Sequence, residues 1–179
     1  HGGETTEMKV AEYMTTEVVR VEIPGNRDEV LKILKRTGIS GVPVLKEGKL
    51  VGIITRKDLL RKSDETQLGL LMTRNPVTVH PDVPVEEAAR LMVEYNVRRL
   101  PVIDGEELVG LISVADLIHA LAQLRIGEEI KDRYVSQTYA LWEETPLPLV
   151  ARIMDISGFE AIPILDAESR LLGIISERD

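Results

Sequence analysis

The sequence predicts a mixed α/β (α+β) fold built from tandem repeats, each running strand, helix, strand, strand, helix. Three observations predict it. A strand-to-helix junction, "GIITRKD" (Gly52 to Asp58), returns as "GLISVAD" (Gly110 to Asp116) and "GIISERD" (Gly173 to Asp179). A proline between apolar residues stands upstream of each, at Pro43, Pro101 and Pro163. The spacing holds: the aspartates lie 58 and 63 residues apart, the prolines 58 and 62. The extra residue of the third copy falls in the turn "DAESRL", where an insertion costs little. Self-similarity at one period marks a repeat architecture, here with boundaries at 8–65, 66–125 and 126–179.

Each repeat opens with a short extended run: "VVRVEI" (Val18 to Ile23), "VTVH" (Val77 to His80) and "TYALW" (Thr138 to Trp142). A helix follows, its apolar residues at helical spacing. In the second repeat these are Val85, Ala88, Ala89 and Met92; in the third, Leu147, Val150, Ala151 and Met154. The first repeat has Val30, Leu31 and Leu34, with Arg27 in place of the first apolar residue. Pro84 and Pro146 fit the first helical position, where a missing N–H is harmless. Gly38, Asn96 and Gly158 align at the helix ends, each followed by an apolar residue. That pattern predicts left-handed caps, because glycine and asparagine enter that conformation most readily. Two apolar strands then follow, joined by polar turns such as "KEGK" and "DGEE". The last helix opens after Thr55 or Ser113. The third repeat reaches Asp179 before such a helix, so further chain, a fourth repeat or another subunit is expected to complete it.

Composition narrows the function. The 179 residues are 44 % hydrophobic but only 3 % aromatic, so the core is aliphatic. A net charge of -8 disfavours nucleic-acid and membrane surfaces, which call for a basic field. With no cysteine, disulfides, thiolate metal sites and cysteine nucleophiles are excluded. No stretch has the ~18 apolar residues of a membrane span, and no signal peptide is visible; a cytoplasmic protein is expected. His80 and His119 are isolated, without metal-ligand spacing. The charged helical run from His119 to Tyr134 reads as a connector to the third repeat, and Trp142 as cover for a repeat edge.

The junctions admit two readings. Ser or Thr followed three residues later by Asp is a capping box. The same arrangement suits a sugar phosphate. Free N–H groups at a helix start attract anions, an ionised aspartate accepts from two vicinal hydroxyls, and a glycine permits close approach to the backbone. A cap needs neither that glycine nor its fixed distance from the proline.

With these residues in hand, the chain resembles the cystathionine-beta-synthase (CBS) domain family from about Val10 to Asp179, as three repeats. The resemblance implies that repeats pair with pseudo-twofold symmetry, as a Bateman module, and bind adenosine ligands in the clefts between them. AMP, ADP or ATP is expected, with S-adenosylmethionine the alternative. The family signature is met by Gly52, Thr55 and Asp58; by Gly110, Ser113 and Asp116; and by Gly173, Ser176 and Asp179. It implies that each aspartate holds ribose hydroxyls and each Ser or Thr faces phosphate. Arg56 and Lys57 inside the first signature, with Arg98 and Arg99 before Pro101, are expected to neutralise phosphates. The third repeat carries Glu160 and Glu177 where Arg98 and Arg56 align, which favours a less anionic ligand or none.

The expected function is therefore a non-catalytic regulatory sensor, without a catalytic cofactor, that signals to a partner protein and forms a homodimer or larger homo-oligomer. The opposing reading is a structural scaffold whose signatures are only caps. A third, an enzyme carrying such a pair within a catalytic barrel, finds no length for a barrel and no cysteine for its nucleophile.

Overall fold

A computed structural model describes residues 8–39, 41–123, 161–165 and 171–176. The expectations for "TYALW", Trp142, Pro146, Gly158, Glu160, Glu177, Asp179, the third repeat's helix and the connector after Gln123 lie outside the described residues, as does the His119 side chain.

The first repeat opens with a one-turn helix, α1 (Val10–Tyr13), and then follows the predicted order. Its elements are β1 (Val21–Glu22), α2 (Arg27–Thr37), β2 (Gly41–Lys46), β3 (Lys49–Thr55) and α3 (Arg56–Arg61). The Asn26 side chain accepts from the Asp28 N–H at 3.0 Å and starts α2; Gly38 ends it at φ 72°. The β2–β3 turn has positive φ at Glu47 and Gly48, the twist that suits a two-residue hairpin.

A second one-turn helix, α4 (Leu68–Leu71), and the two-residue β4 (Thr73–Arg74) lead into α5 (Val85–Tyr95), β5 (Arg99–Asp104), β6 (Glu107–Ser113) and α6 (Val114–Gln123). Asn96 ends α5 at φ 54°, so both caps that can be tested are left-handed as expected. Pro84 stands one residue earlier than expected, at the N-cap, where its backbone bridges Lys9. The opening strands are also shorter than "VVRVEI" and "VTVH" promised. β1 keeps two residues, and the second run keeps one bridge, Val79 to Val102. Their alternation of polar and apolar residues is right, but only a few residues reach a partner strand.

In the third repeat, β7 (Ala161–Leu165) pairs antiparallel with β8 (Leu171–Ser176). The register copies the first repeat. Ile164 faces Gly173 as Val44 faces Gly52, and both hairpins slip at the next residue.

The chain divides into two compact units, one of His1–Met14, Asp82–Arg99 and Ile112–Asp179, the other of Thr15–Pro81 and Leu100–Leu111. The second unit contains a four-stranded sheet, β1-β2-β3-β4, with β1 parallel to β2 and the remaining pairs antiparallel. Its core gathers Val30, Val42, Val44, Ile54 and Leu59 with Leu68, Leu71 and Met72. The last three belong to the opening segment of repeat 2, yet they complete the core of repeat 1. At about 1.5–3 kcal/mol per buried side chain, they contribute a large share of its stability.

The same transfer occurs in the other direction. The Leu68 N–H donates to Gly25 O and the Arg27 N–H to Thr66 O; 58 residues away, Val10 donates to Val83 O and Val85 to Met8 O. Thr73 faces Ile53, and Thr15 faces Leu111. The opening segment of each of these two repeats thus serves the other. The sequence does carry a signal for this, "YMT" at Met14 and Thr15 recurring as "LMT" at Met72 and Thr73.

Candidate functional site

The first two signatures lie where a strand becomes a helix. Thr55 closes β3 in extended conformation and is the N-cap of α3. Its N–H donates to Asp58 Oδ2 at 2.8 Å and its hydroxyl to the same oxygen at 3.1 Å. In repeat 2, Ser113 donates to Asp116 Oδ2 from its N–H at 2.8 Å and from its hydroxyl at 3.1 Å. The Asp116 N–H returns a bond to Ser113 Oγ at 3.3 Å. Both junctions are therefore capping boxes, and both fix a carboxylate at the same place relative to strand and helix.

The two carboxylates differ in surroundings. Asp58 is only 8 % exposed and is the buried charged residue among those described. A donor from the opening segment of repeat 2 reaches it: Thr73 Oγ1 donates to Asp58 Oδ1 at 2.8 Å. Three hydrogen bonds to the carboxylate, each worth about 1.5–3 kcal/mol, offset the cost of burying it. Asp116 is half-buried.

Gly52 has a packing reason that the sequence did not disclose. A Cβ there would stand 2.6 Å from Met72 Sδ and 2.8 Å from the Thr73 carbonyl oxygen. Close approach to this glycine is made by the protein's own chain, not by open space. Gly110 is buried in β6, and Gly173 and Ser176 lie in β8. Arg56 and Lys57 are exposed on the first turn of α3; Arg98 and Arg99 are half-buried and already engaged. Arg99 begins β5, so it belongs to the strand instead of the loop before it. The Arg98 carbonyl accepts from the Val114 N–H at 2.9 Å, which satisfies one free donor of α6.

Residues that sequence reasoning passed over stand nearby. Thr73 and Met72 close on Asp58 and Gly52. Arg27, read as a defect in an apolar stripe, donates to the carbonyls of Leu59 at 3.0 Å, Lys62 at 2.9 Å and Glu65 at 3.3 Å. It supplies the end of α3 with partners for carbonyls that a helix leaves open. His80 contacts Asp104 at 3.4 Å on the surface. Among the described residues no cluster could hold a metal ion, and no helix is long and apolar enough to cross a membrane.

Comparison with known proteins agrees with this architecture. The CBS domain model matches residues 10–65, 68–123 and 131–179. An uncharacterised protein of Methanocaldococcus jannaschii is 38 % identical over 135 residues, 74 % of this chain and 50 % of the relative. Inosine-5'-monophosphate dehydrogenase of Korarchaeum cryptofilum is 28 % identical over 89 % of this chain but only 35 % of its own length. The chain thus spans half or less of these two curated relatives. Among solved structures, CBSX2 in complex with AMP superposes with a TM-score of 0.62 at 30 % identity, over 65 % of this chain and 98 % of that one. A CBS domain pair in complex with 5'-methylthioadenosine and S-adenosyl-L-methionine gives 0.62 at 29 % identity, over 66 % and 99 %. The chain belongs to the CBS domain family.

Proposed function

We propose that this chain is a regulatory module that binds adenosine ligands and passes their presence to a partner protein. The observation that carries the reading is the repeated carboxylate. Asp58 and Asp116 are held by the same two donors at the same distances, 2.8 and 3.1 Å. A carboxylate fixed in advance costs little ordering when a ribose diol binds it. The ligands of the two CBS-pair neighbours share the adenosine moiety, which supports the class. AMP, ADP or ATP is the first choice and S-adenosylmethionine the second.

The proposed contacts are Gly52, Thr55, Arg56, Lys57 and Asp58 in repeat 1; Arg98, Arg99, Gly110, Ser113 and Asp116 in repeat 2; and Gly173, Ser176 and Asp179 in repeat 3. Arg56 and Lys57 supply cations where repeat 2 has Val114 and Ala115, so the more anionic ligand belongs to repeat 1. A ligand that favours one arrangement of the repeats shifts its population, and a partner reads that shift. No catalytic role is proposed: the dehydrogenase match covers about a third of that enzyme. A homo-oligomer is part of the proposal.

A scaffold reading has an observation on its side. Both aspartates already cap helices, and the space at Gly52 is filled by Met72. Calorimetric titration with AMP, ATP and S-adenosylmethionine separates the two. Saturable heat that is lost on Asp58→Ala or Asp116→Ala supports the sensor. No heat with any of the three leaves the signatures as caps.

A further inference from the structure

We propose that the Thr73 hydroxyl occupies the place on Asp58 that a ligand hydroxyl takes. Binding at repeat 1 then displaces Thr73 and loosens the short strand that opens repeat 2. The inference rests on the adenosine reading of this site and adds a residue from outside the signature.

The argument is a count of acceptor positions. An ionised carboxylate offers about four. On Asp58, Oδ2 already accepts the Thr55 N–H and the Thr55 hydroxyl, and Oδ1 accepts Thr73 Oγ1. One position remains, and a vicinal diol needs two. A donor must leave. The Thr55 N–H is held by the strand-to-helix junction, and the Thr55 hydroxyl shares the oxygen that this N–H occupies. Among the described residues Thr73 alone donates to Oδ1, at 2.8 Å, and it is an exposed residue of a two-residue strand. Turning it away clears one whole oxygen without undoing the cap.

Displacement has a consequence built into the chain. β4 pairs with β3 only at Gly52 to Arg74 and Ile53 to Thr73. Met72, next along the chain, is 5 % exposed in the core of repeat 1 and lies over Gly52. A diol on Asp58 therefore acts on the residue that joins the repeat 1 core to the start of repeat 2. An edge of two residues is the kind of element that opens locally at small cost.

The test is titration of AMP into the wild-type chain, Thr73→Val and Thr73→Ser. Valine keeps the shape and lacks the donor. Thr73→Val should bind AMP about tenfold more tightly, and Thr73→Ser should bind like the wild type; tenfold corresponds to ~1.4 kcal/mol, within the worth of one bond to a charged acceptor. The gain should vanish in an Asp58→Ala background. It should also vanish for either 2'-deoxy-AMP or 3'-deoxy-AMP, whichever lacks the displacing hydroxyl. Amide exchange on the wild type gives a second readout that needs no variant: saturating AMP should speed exchange at Thr73 and Asn75, the amides that face β3. Equal or weaker AMP binding by Thr73→Val, with wild-type binding intact and exchange unchanged, overturns the role of Thr73 and leaves the adenosine reading standing. No heat from AMP, ATP or S-adenosylmethionine with wild type or Thr73→Val overturns both.

Discussion

Repeats 1 and 2 share one grammar and solve it with different residues. At the first position of the long helix, repeat 2 places Val85, fully buried, while repeat 1 places Arg27, whose guanidinium reaches three carbonyls around the end of α3. After the signature, repeat 2 continues into the ten-residue, largely apolar α6; repeat 1 has the charged "RKDLLRK" and stops after six residues. Repeat 1 buries its carboxylate under Thr73, and repeat 2 leaves Asp116 half-buried. The lesson is that a repeat conserves where a backbone turns and pairs, while the means of satisfying its ends are free to change. A short helix needs outside partners for its last carbonyls; a longer apolar one is held by what it buries.

The largest test strikes the exchanged segments. Leu71→Ala should cost about 2–5 kcal/mol in urea denaturation, the usual range for a large core truncation, although Leu71 lies outside repeat 1 in sequence. Val10→Ala, at the position that matches Leu68 on the other side, removes less volume and should cost less. A Leu71→Ala cost under ~1 kcal/mol would break the claim that the segment belongs to the repeat 1 core. Next, Asp116→Ala should weaken AMP binding by about a hundredfold, the loss of ~3 kcal/mol from two hydroxyls on one carboxylate. AMP binding unchanged, beside a lowered melting temperature, would reduce "GLISVAD" to a cap.

Stability then sharpens the contrast between the two carboxylates. Asp58→Ala strands the part-buried Thr55 N–H and removes the bond from the exposed Thr73 hydroxyl, and should destabilise by about 2–3 kcal/mol. Asp116→Ala should lose only ~1 kcal/mol, because more of its surroundings are wet. Equal losses in thermal melts would mean that burial at Asp58 carries no energetic weight. Arg27→Met keeps the apolar stem and removes the donors, and should cost roughly 1–2 kcal/mol. At the caps, Gly38→Val should cost about 1–2 kcal/mol, and the smallest effect is expected for Gly38→Asn, which copies repeat 2, in the same urea titration.

Much of the fold was legible because it is local. A helix ends at Gly38 or Asn96 because those residues tolerate positive φ, a matter of sterics within one residue. The β2–β3 and β7–β8 hairpins share a register because matching apolar strands flank a polar turn in both. The candidate site was legible to the same depth: Thr55 with Asp58 and Ser113 with Asp116 meet within three residues of chain. What the tertiary structure alone decided lies across long separations. That Met72 fills the face of Gly52, that Thr73 bonds Asp58, and that Arg27 serves α3 all depend on β4 and α4 folding back onto the repeat they follow. A one-turn helix and a two-residue strand carry no periodicity for a sequence to display, and their partners are chosen by burial and hydrogen-bond satisfaction in the assembled sheet.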